Sequence, residues 1–182
     1  MDTNDCVLVV VDVQGKLASL MYAHEDLFLN LGHAIKIAQI LNIPILWTEQ
    51  APDKIGATVE PIARLLFPHV KPIHKRSFSC FLNKDFRRSL SALNRRQVVL
   101  VGIEAHVCLY QTARDLQRHG YDIFVPEDAV SARSQFTKES AIKRMAAQGI
   151  AITSIQMLGC ELMKTADHPK FKEVMTNLYL SK

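Results

Sequence analysis

The run Cys6-Val-Leu-Val-Val-Val-Asp12 constrains the fold more than any other stretch of this chain. Six successive apolar residues, four of them valine, leave the segment no polar face. A strand with one wet face alternates apolar and polar residues; a continuous run reads as a strand buried on both faces. That environment belongs to a parallel sheet covered by helices on each side. The run ends on a carboxylate, Asp12.

The same pattern recurs along the chain. Leu27, Leu31, Ala34, Ile35, Ala38 and Leu41 fall at helical spacing, with Glu25 and Asp26 near the positive end and Asn42 as a stop. Ile43 to Thr48 reads as a second strand, with Pro44 at its start. Thr58 is placed to cap a short helix that carries Pro61 in its first turn and stops at Pro68. Val70 to Lys75 is expected as a third strand, Asn83 to Leu93 as a helix and Gln97 to Ile103 as a fourth strand. Leu109, Ala113 and Leu116 define the next helix, with Gly120 at its C′ position. Tyr121 to Val125 and Ile150 to Thr153 supply strands five and six, separated by a helix that Thr137 can cap and Gly149 closes. Two helices follow, the last beginning near His168-Pro169. The expected fold is α/β: a three-layer α/β/α, Rossmann-like sandwich with a six-stranded parallel sheet, one domain spanning residues 1–182.

Composition excludes several other classes. At 48% hydrophobic and 22% charged residues in 182, the chain is too apolar to be disordered and long enough to bury a core. Its longest purely apolar run, Cys6 to Val11, is far below a membrane span, and the acidic start Met1 to Asp5 lacks a signal peptide's basic region. Four scattered cysteines without a CxxC suggest a reduced thiol protein of the cytoplasm. Charge is uneven: Lys71 to Arg96 holds eight basic residues and only Asp85 as an acid, so that stretch carries +7 and the remainder −3 of the net +4. Without an aromatic-interleaved RNA motif or a zinc finger, that stretch reads as a solvated face, and no nucleic-acid partner is expected. Neither the GxGxxG fingerprint nor a P-loop is present, so no nucleotide cofactor is implied.

In open parallel sheets the ligand site lies at the carboxyl ends of the strands. Strand one ends at Asp12, strand three at Lys75, and strand four runs through Gly102-Ile-Glu-Ala-His-Val-Cys108 into a helix. An acid, an amine and a thiol therefore converge on one edge. A helix N-terminus and a neighbouring ammonium both favour thiolate, which predicts a Cys108 pKa below the ordinary value of about 8.5. Asp12 can take the thiol proton and later activate water against a thioester. Gln14 is a candidate for positioning Asp12 or substrate, Phe78 and Phe81 for lining a pocket, and His106 for touching substrate. Cys6, Cys80 and Cys160 read as packing residues, Asp128 as a turn residue, and Leu17 to Tyr22 as a lid or an ordinary connection.

VVVDVQ with Asp12 and Gln14, IHKRSFSCF with Lys75, VLVGIEAHVC with Cys108, and PEDAVSARS from Pro126 to Ser134 together resemble the isochorismatase-like cysteine hydrolases over nearly the whole chain. The resemblance is strongest to isochorismatase-domain proteins of unassigned substrate. It implies Asp12 as base, Lys75 as third member and Cys108 as nucleophile. It also implies a non-proline cis peptide at Ile103–Glu104 that aims the Glu104 N–H into an oxyanion hole beside the Cys108 N–H. Hydrolysis of a small amide or related carbonyl compound and a homo-oligomeric assembly are further implications. Nicotinamidases of this family carry an Asp-x-His metal motif where this chain reads Thr48-Glu-Gln-Ala-Pro52, so no metal is expected. A family threonine near the cysteine is replaced, with Ala105 in its place. The rival readings are a metal-dependent nicotinamidase-type amidase and a non-catalytic interaction protein that retains the fold.

Overall fold

The computed structural model describes residues 1–180. Seven parallel strands form one sheet: β1 (Cys6–Val11), β2 (Ile45–Gln50), β3 (Ile73–Lys75), β4 (Gln97–Ile103), β5 (Asp122–Pro126), β6 (Val130–Ser131) and β7 (Ala151–Thr153). Their order is β3-β2-β1-β4-β5-β7, and the two-residue β6 pairs with the end of β4. The chain thus starts in the middle, winds outward to β3, and returns to β4 on the other side of β1. That reversal opens a crevice between the carboxyl ends of β1 and β4.

The first strand shows why both faces are covered. Cys6, Leu8 and Val10 enter one apolar core, while Val7, Val9 and Val11 enter the other. The first core is closed by α2 (His24–Ile40), α4 (Glu60–Leu66), α8 (Ile155–Met163) and α9 (Phe171–Leu180). The second is closed by α5 (Lys84–Ala92), α6 (Tyr110–Arg118) and α7 (Gln135–Ala146). Two short helices, α1 (Gly15–Ser19) and α3 (Pro52–Ile55), lie in the connections after β1 and β2. The three-layer parallel architecture agrees with the sequence pattern; β6 is the additional strand.

Gly102 makes the central pairing possible. It lies opposite Val11 with φ +117°, and a Cβ there would come within 2.1 Å of the Val11 carbonyl oxygen. Only a residue without a side chain lets β1 and β4 approach at this point. Their next residues are Asp12 and the turn carrying Cys108, so this close contact sets the width of the crevice.

Several boundaries differ from the expected ones for local reasons. The third strand begins at Ile73, because Pro72 has no N–H to give to the ladder. Thr58 does not cap α4; its hydroxyl donates to Glu49 Oε1 at 2.8 Å and accepts from Trp47 Nε1 at 2.8 Å. Thr137 is not the cap of α7 either: Ser134 Oγ accepts its backbone N–H at 3.2 Å. Asp128 is more than a turn residue, since both its carboxylate oxygens accept the Ile155 N–H at the start of α8. Asn83 does cap α5, accepting the N–H groups of Asp85 and Phe86 at 2.9 and 3.0 Å. Replacing Asn83 by Ala is expected to lower stability by about 1 kcal/mol in urea unfolding, with Asn83→Ser close to wild type.

Candidate active site

Asp12 follows β1 with φ +53°, a left-handed conformation that aspartate tolerates better than most residues. Its carboxylate meets the Lys75 ammonium, Nζ to Oδ2, at 2.6 Å. Lys75 starts two strands away, roughly 10 Å across the sheet, and its long side chain covers that gap. Lys75 Nζ also lies 3.7 Å from Cys108 Sγ. Cys108 sits in a wide π-type turn, Ala105–Leu109, that leads from β4 into α6. The three side chains named from the strand ends are thus brought together, and all are nearly buried: 3% exposed for Asp12, 2% for Lys75 and 7% for Cys108.

The ammonium is heavily committed to the protein. Besides Asp12, it donates to Gln50 Oε1 at 2.7 Å and to the carbonyls of Ser77 and Phe78 at 3.1 and 3.2 Å. Four oxygen neighbours for three hydrogens leave Lys75 as a fixed positive charge rather than a donor to ligand. Asp12 Oδ1 accepts the Thr48 hydroxyl at 2.8 Å. The Lys75 ammonium, 2.6 Å away, is the neighbour of Oδ2.

Protonation at the thiol differs from the expectation of a lowered pKa. Burial pushes the Cys108 thiol up, and the Asp12 carboxylate pushes in the same direction. Lys75 opposes both without overcoming them. The reading from charged neighbours alone omitted the cost of placing a thiolate in a buried site beside a carboxylate. For Lys75, burial works against the charge, but the Cys80 sulfur and the Asp12 carboxylate outweigh it and raise its pKa. Cys80 is fully buried and its thiol is pushed up to about 11, chiefly by burial and then by Asp12.

These shifts carry a consequence for stability. A thiol whose pKa is higher folded than unfolded keeps its proton over a range where the unfolded chain loses it. Stability from Cys6 (pushed up to about 12), Cys80 and Cys108 is therefore present below about pH 8.5 and declines as pH rises above it. Lys75 adds the same sign near the top of that range. Thermal unfolding is expected to show a Tm that falls between pH 8.5 and 11, each thiol contributing at most about 1.4 kcal/mol per pH unit.

The other candidates are placed less centrally. Gln14 is fully buried, and both hydrogens of its amide go to backbone, the carbonyls of Gln50 at 3.1 Å and Gly56 at 2.6 Å. Its Oε1 accepts the Gln50 N–H at 2.6 Å, so it ties the connection after β1 to the end of β2. The Phe78 carbonyl holds Lys75, whereas its residue surface is 54% exposed. Phe81 is not at the thiol: its ring packs on His119, with centroids 4.2 Å apart, at the far end of α6, about 16 Å along the helix from Cys108. His106 lines a cleft of about 420 Å³ with Tyr110, Phe136 and Arg144, between α6 and α7, and none of Asp12, Lys75 and Cys108 lines it. The Ile103–Glu104 peptide is cis. The Glu104 N–H makes no hydrogen bond to another described residue, and its carboxylate accepts from Arg133 Nε at 3.2 Å.

Three residues near the carboxylate and the ammonium were given no site role from the sequence, and Cys80 was read as packing. Thr48 and Gln50 hold Asp12 and Lys75, and Cys80 Sγ lies 3.7 Å from Thr48 Oγ1. Thr48 and Gln50 are two apart on β2, hence on one face of the sheet. That spacing, on the strand between β1 and β3, was the available signal.

Glu49 is the carboxylate at the end of β2, and it is already used: Oε1 by the Thr58 N–H and hydroxyl, Oε2 by His74 Nε2 at 3.3 Å. Among the described residues, no group of three or more His, Cys, Asp or Glu side chains is arranged to hold a metal ion. The basic stretch does not form one patch. Arg76 pairs with Asp53, Arg88 with Asp85, and Arg87 binds the Phe81 carbonyl. Arg95 and Arg96 bind carbonyls of Thr3, Cys6 and Gly120, at the opposite edge of the sheet from Lys75.

Comparison with known proteins gives the family. Residues 6–157 match the Isochorismatase domain. The chain belongs to the isochorismatase family. Isochorismatase domain-containing protein 2 of Danio rerio is 33% identical over 175 residues, covering 96% of this chain and 87% of that protein. The secreted isochorismatase effector Isc1 of Phytophthora sojae (strain P6497) is 33% identical over 171 residues, covering 92% and 81%. The solved structure of MAR1 ribonuclease from Caenorhabditis elegans superposes with a TM-score of 0.92 at 34% identity, over 100% of this chain and 93% of that one. Among the described residues no helix is long and apolar enough to cross a membrane. With one relative named as secreted, family membership does not place the chain in the cytoplasm.

Proposed function

We propose that this isochorismatase-family protein is a cysteine hydrolase acting on a small amide or related carbonyl compound. The single observation that carries this reading is the buried Asp12–Lys75–Cys108 cluster, with Nζ 2.6 Å from the carboxylate and 3.7 Å from the sulfur. Cys108 Sγ attacks the carbonyl carbon while its proton passes to Asp12 Oδ2. The tetrahedral oxyanion is received by the N–H groups of Glu104 and Cys108; loss of one such donor typically costs about 2.7 to 4 kcal/mol. Collapse breaks the C–N bond, Asp12 returns the proton to the departing nitrogen, and a thioester is left. Water then attacks that thioester with Asp12 as base, releasing acid product and the thiol. Lys75 keeps a positive charge beside Asp12 throughout. The reading uses neither metal nor organic cofactor. It includes a homo-oligomer, for which Phe136 and Phe78, 81% and 54% exposed, offer apolar surface.

Ammonia release from a panel of small amides, by wild type and by Cys108→Ala, tests the reading. Release by wild type that is lost in the variant supports it; release retained by Cys108→Ala from a proven substrate rejects it. A second reading, RNA cleavage, draws on the name of the 34%-identical Caenorhabditis elegans protein. Transesterification of RNA passes through no acyl-enzyme and needs no nucleophilic sulfur, so Cys108→Ala would retain it. The buried thiol beside Asp12 and Lys75, for which RNA transesterification has no use, favours the small-molecule reading.

A further inference from the structure

We infer that Thr48 and Cys80 form a buried hydrogen-bond relay that positions the Asp12 carboxylate for Cys108. The inference rests on the reading of Asp12 as the base for that thiol.

The Thr48 hydroxyl lies between two partners, Asp12 Oδ1 at 2.8 Å and Cys80 Sγ at 3.7 Å. It has one hydrogen. A carboxylate is acceptor only, so the hydrogen belongs to Asp12, and the Cys80 S–H is left to donate to Thr48 Oγ1. The direction of the chain is therefore fixed: Cys80 to Thr48 to Asp12. A protonated Cys80 is required, and its burial with the nearby carboxylate supplies one. Thr48 and Cys80 are both 0% exposed, so bulk solvent does not reach these bonds.

The relay decides which oxygen does chemistry. With Oδ1 taken by the Thr48 hydroxyl, the relay assigns the thiol proton to Oδ2, the oxygen paired with the Lys75 ammonium at 2.6 Å. The titratable groups facing Asp12 are Lys75 from β3, Cys108 from the turn before α6, and Cys80 from the short 3-10 turn Cys80–Leu82. Cys80 is itself anchored, its N–H donating to Thr112 Oγ1 on α6 at 2.9 Å. The same helix that follows Cys108 therefore fixes the far end of the relay. Cys80 is a positioning residue on this account, with no covalent role.

The test reads Cys108 directly and needs no substrate. Alkylation of Cys108 by iodoacetamide is followed by peptide mass spectrometry from pH 5 to 9 in wild type, Asp12→Asn, Thr48→Val and Thr48→Ser. Thr48→Val is expected to slow alkylation about tenfold and move the acid limb of the profile to higher pH. Thr48→Ser is expected to restore both. A Thr48→Val profile that superimposes on wild type, while Asp12→Asn is slow, overturns the relay and leaves Asp12 as base. An Asp12→Asn profile equal to wild type overturns the parent reading. Cys80→Ser, which keeps a donor, and Cys80→Ala, which removes it, provide the second pair: equal rates in both overturn the part assigned to Cys80.

Discussion

Replacing Asp12 by Asn is expected to slow thioester formation at Cys108 by about 100- to 10,000-fold, the usual worth of a positioned general base. The argument rests on the protonation of the thiol. Burial and the adjacent carboxylate hold Cys108 as S–H, so the nucleophile is created only as its proton leaves. Asparagine keeps the shape of the side chain and can still accept the Thr48 hydroxyl, but it cannot take that proton. The substitution also removes the partner of a buried ammonium. Lys75 is 2% exposed, and leaving one member of a buried pair uncompensated typically costs about 3 to 5 kcal/mol. Urea unfolding beside the rate measurement separates the two effects. A folded Asp12→Asn protein that reacts at the wild-type rate would contradict the assignment of the base.

Replacing Gly102 by Ala is expected to destabilise the fold by about 3 kcal/mol or more, combining an unfavourable positive φ with a severe overlap. The new Cβ would sit 2.1 Å from the Val11 carbonyl oxygen and 2.9 Å from the Val11 carbonyl carbon and nitrogen. All three are backbone of the central strand, which has no rotamer with which to yield. Relief requires β1 and β4 to separate where Asp12 and the Cys108 turn begin. Activity should fall with stability. An unfolding free energy in urea within about 0.5 kcal/mol of wild type, the size of a neutral surface change, would contradict the close approach.

These two positions also show what could be read without coordinates. The Cys6–Val11 run announced a strand buried on both faces because nothing polar interrupts it, and strand ends then located Asp12, Lys75 and the Cys108 turn. Thr48 and Gln50 were hidden because a threonine in a strand is ordinary and a glutamine after it reads as surface. Their meaning depends on β2 lying between β1 and β3, a fact of topology. Cys80 looked like packing from sequence; its distance to Thr48 is set by the turn Cys80–Leu82 after β3. Thr58 and Thr137 suited helix caps by type, but Glu49 claims the first and Ser134 precedes the second. The thiol pKa was misread for a related reason: sequence shows which charges come near, and burial decides which of them prevail.

The central claim is a covalent intermediate on Cys108. Rapid acid quench during turnover of an amide that the ammonia panel identifies, followed by intact-protein and peptide mass spectrometry, tests it most directly. The account predicts an acyl adduct on the Cys108 peptide of wild type, absent from Cys108→Ala, which should not turn over. Turnover by wild type with no adduct at Cys108, together with undiminished turnover by Cys108→Ala, would contradict it.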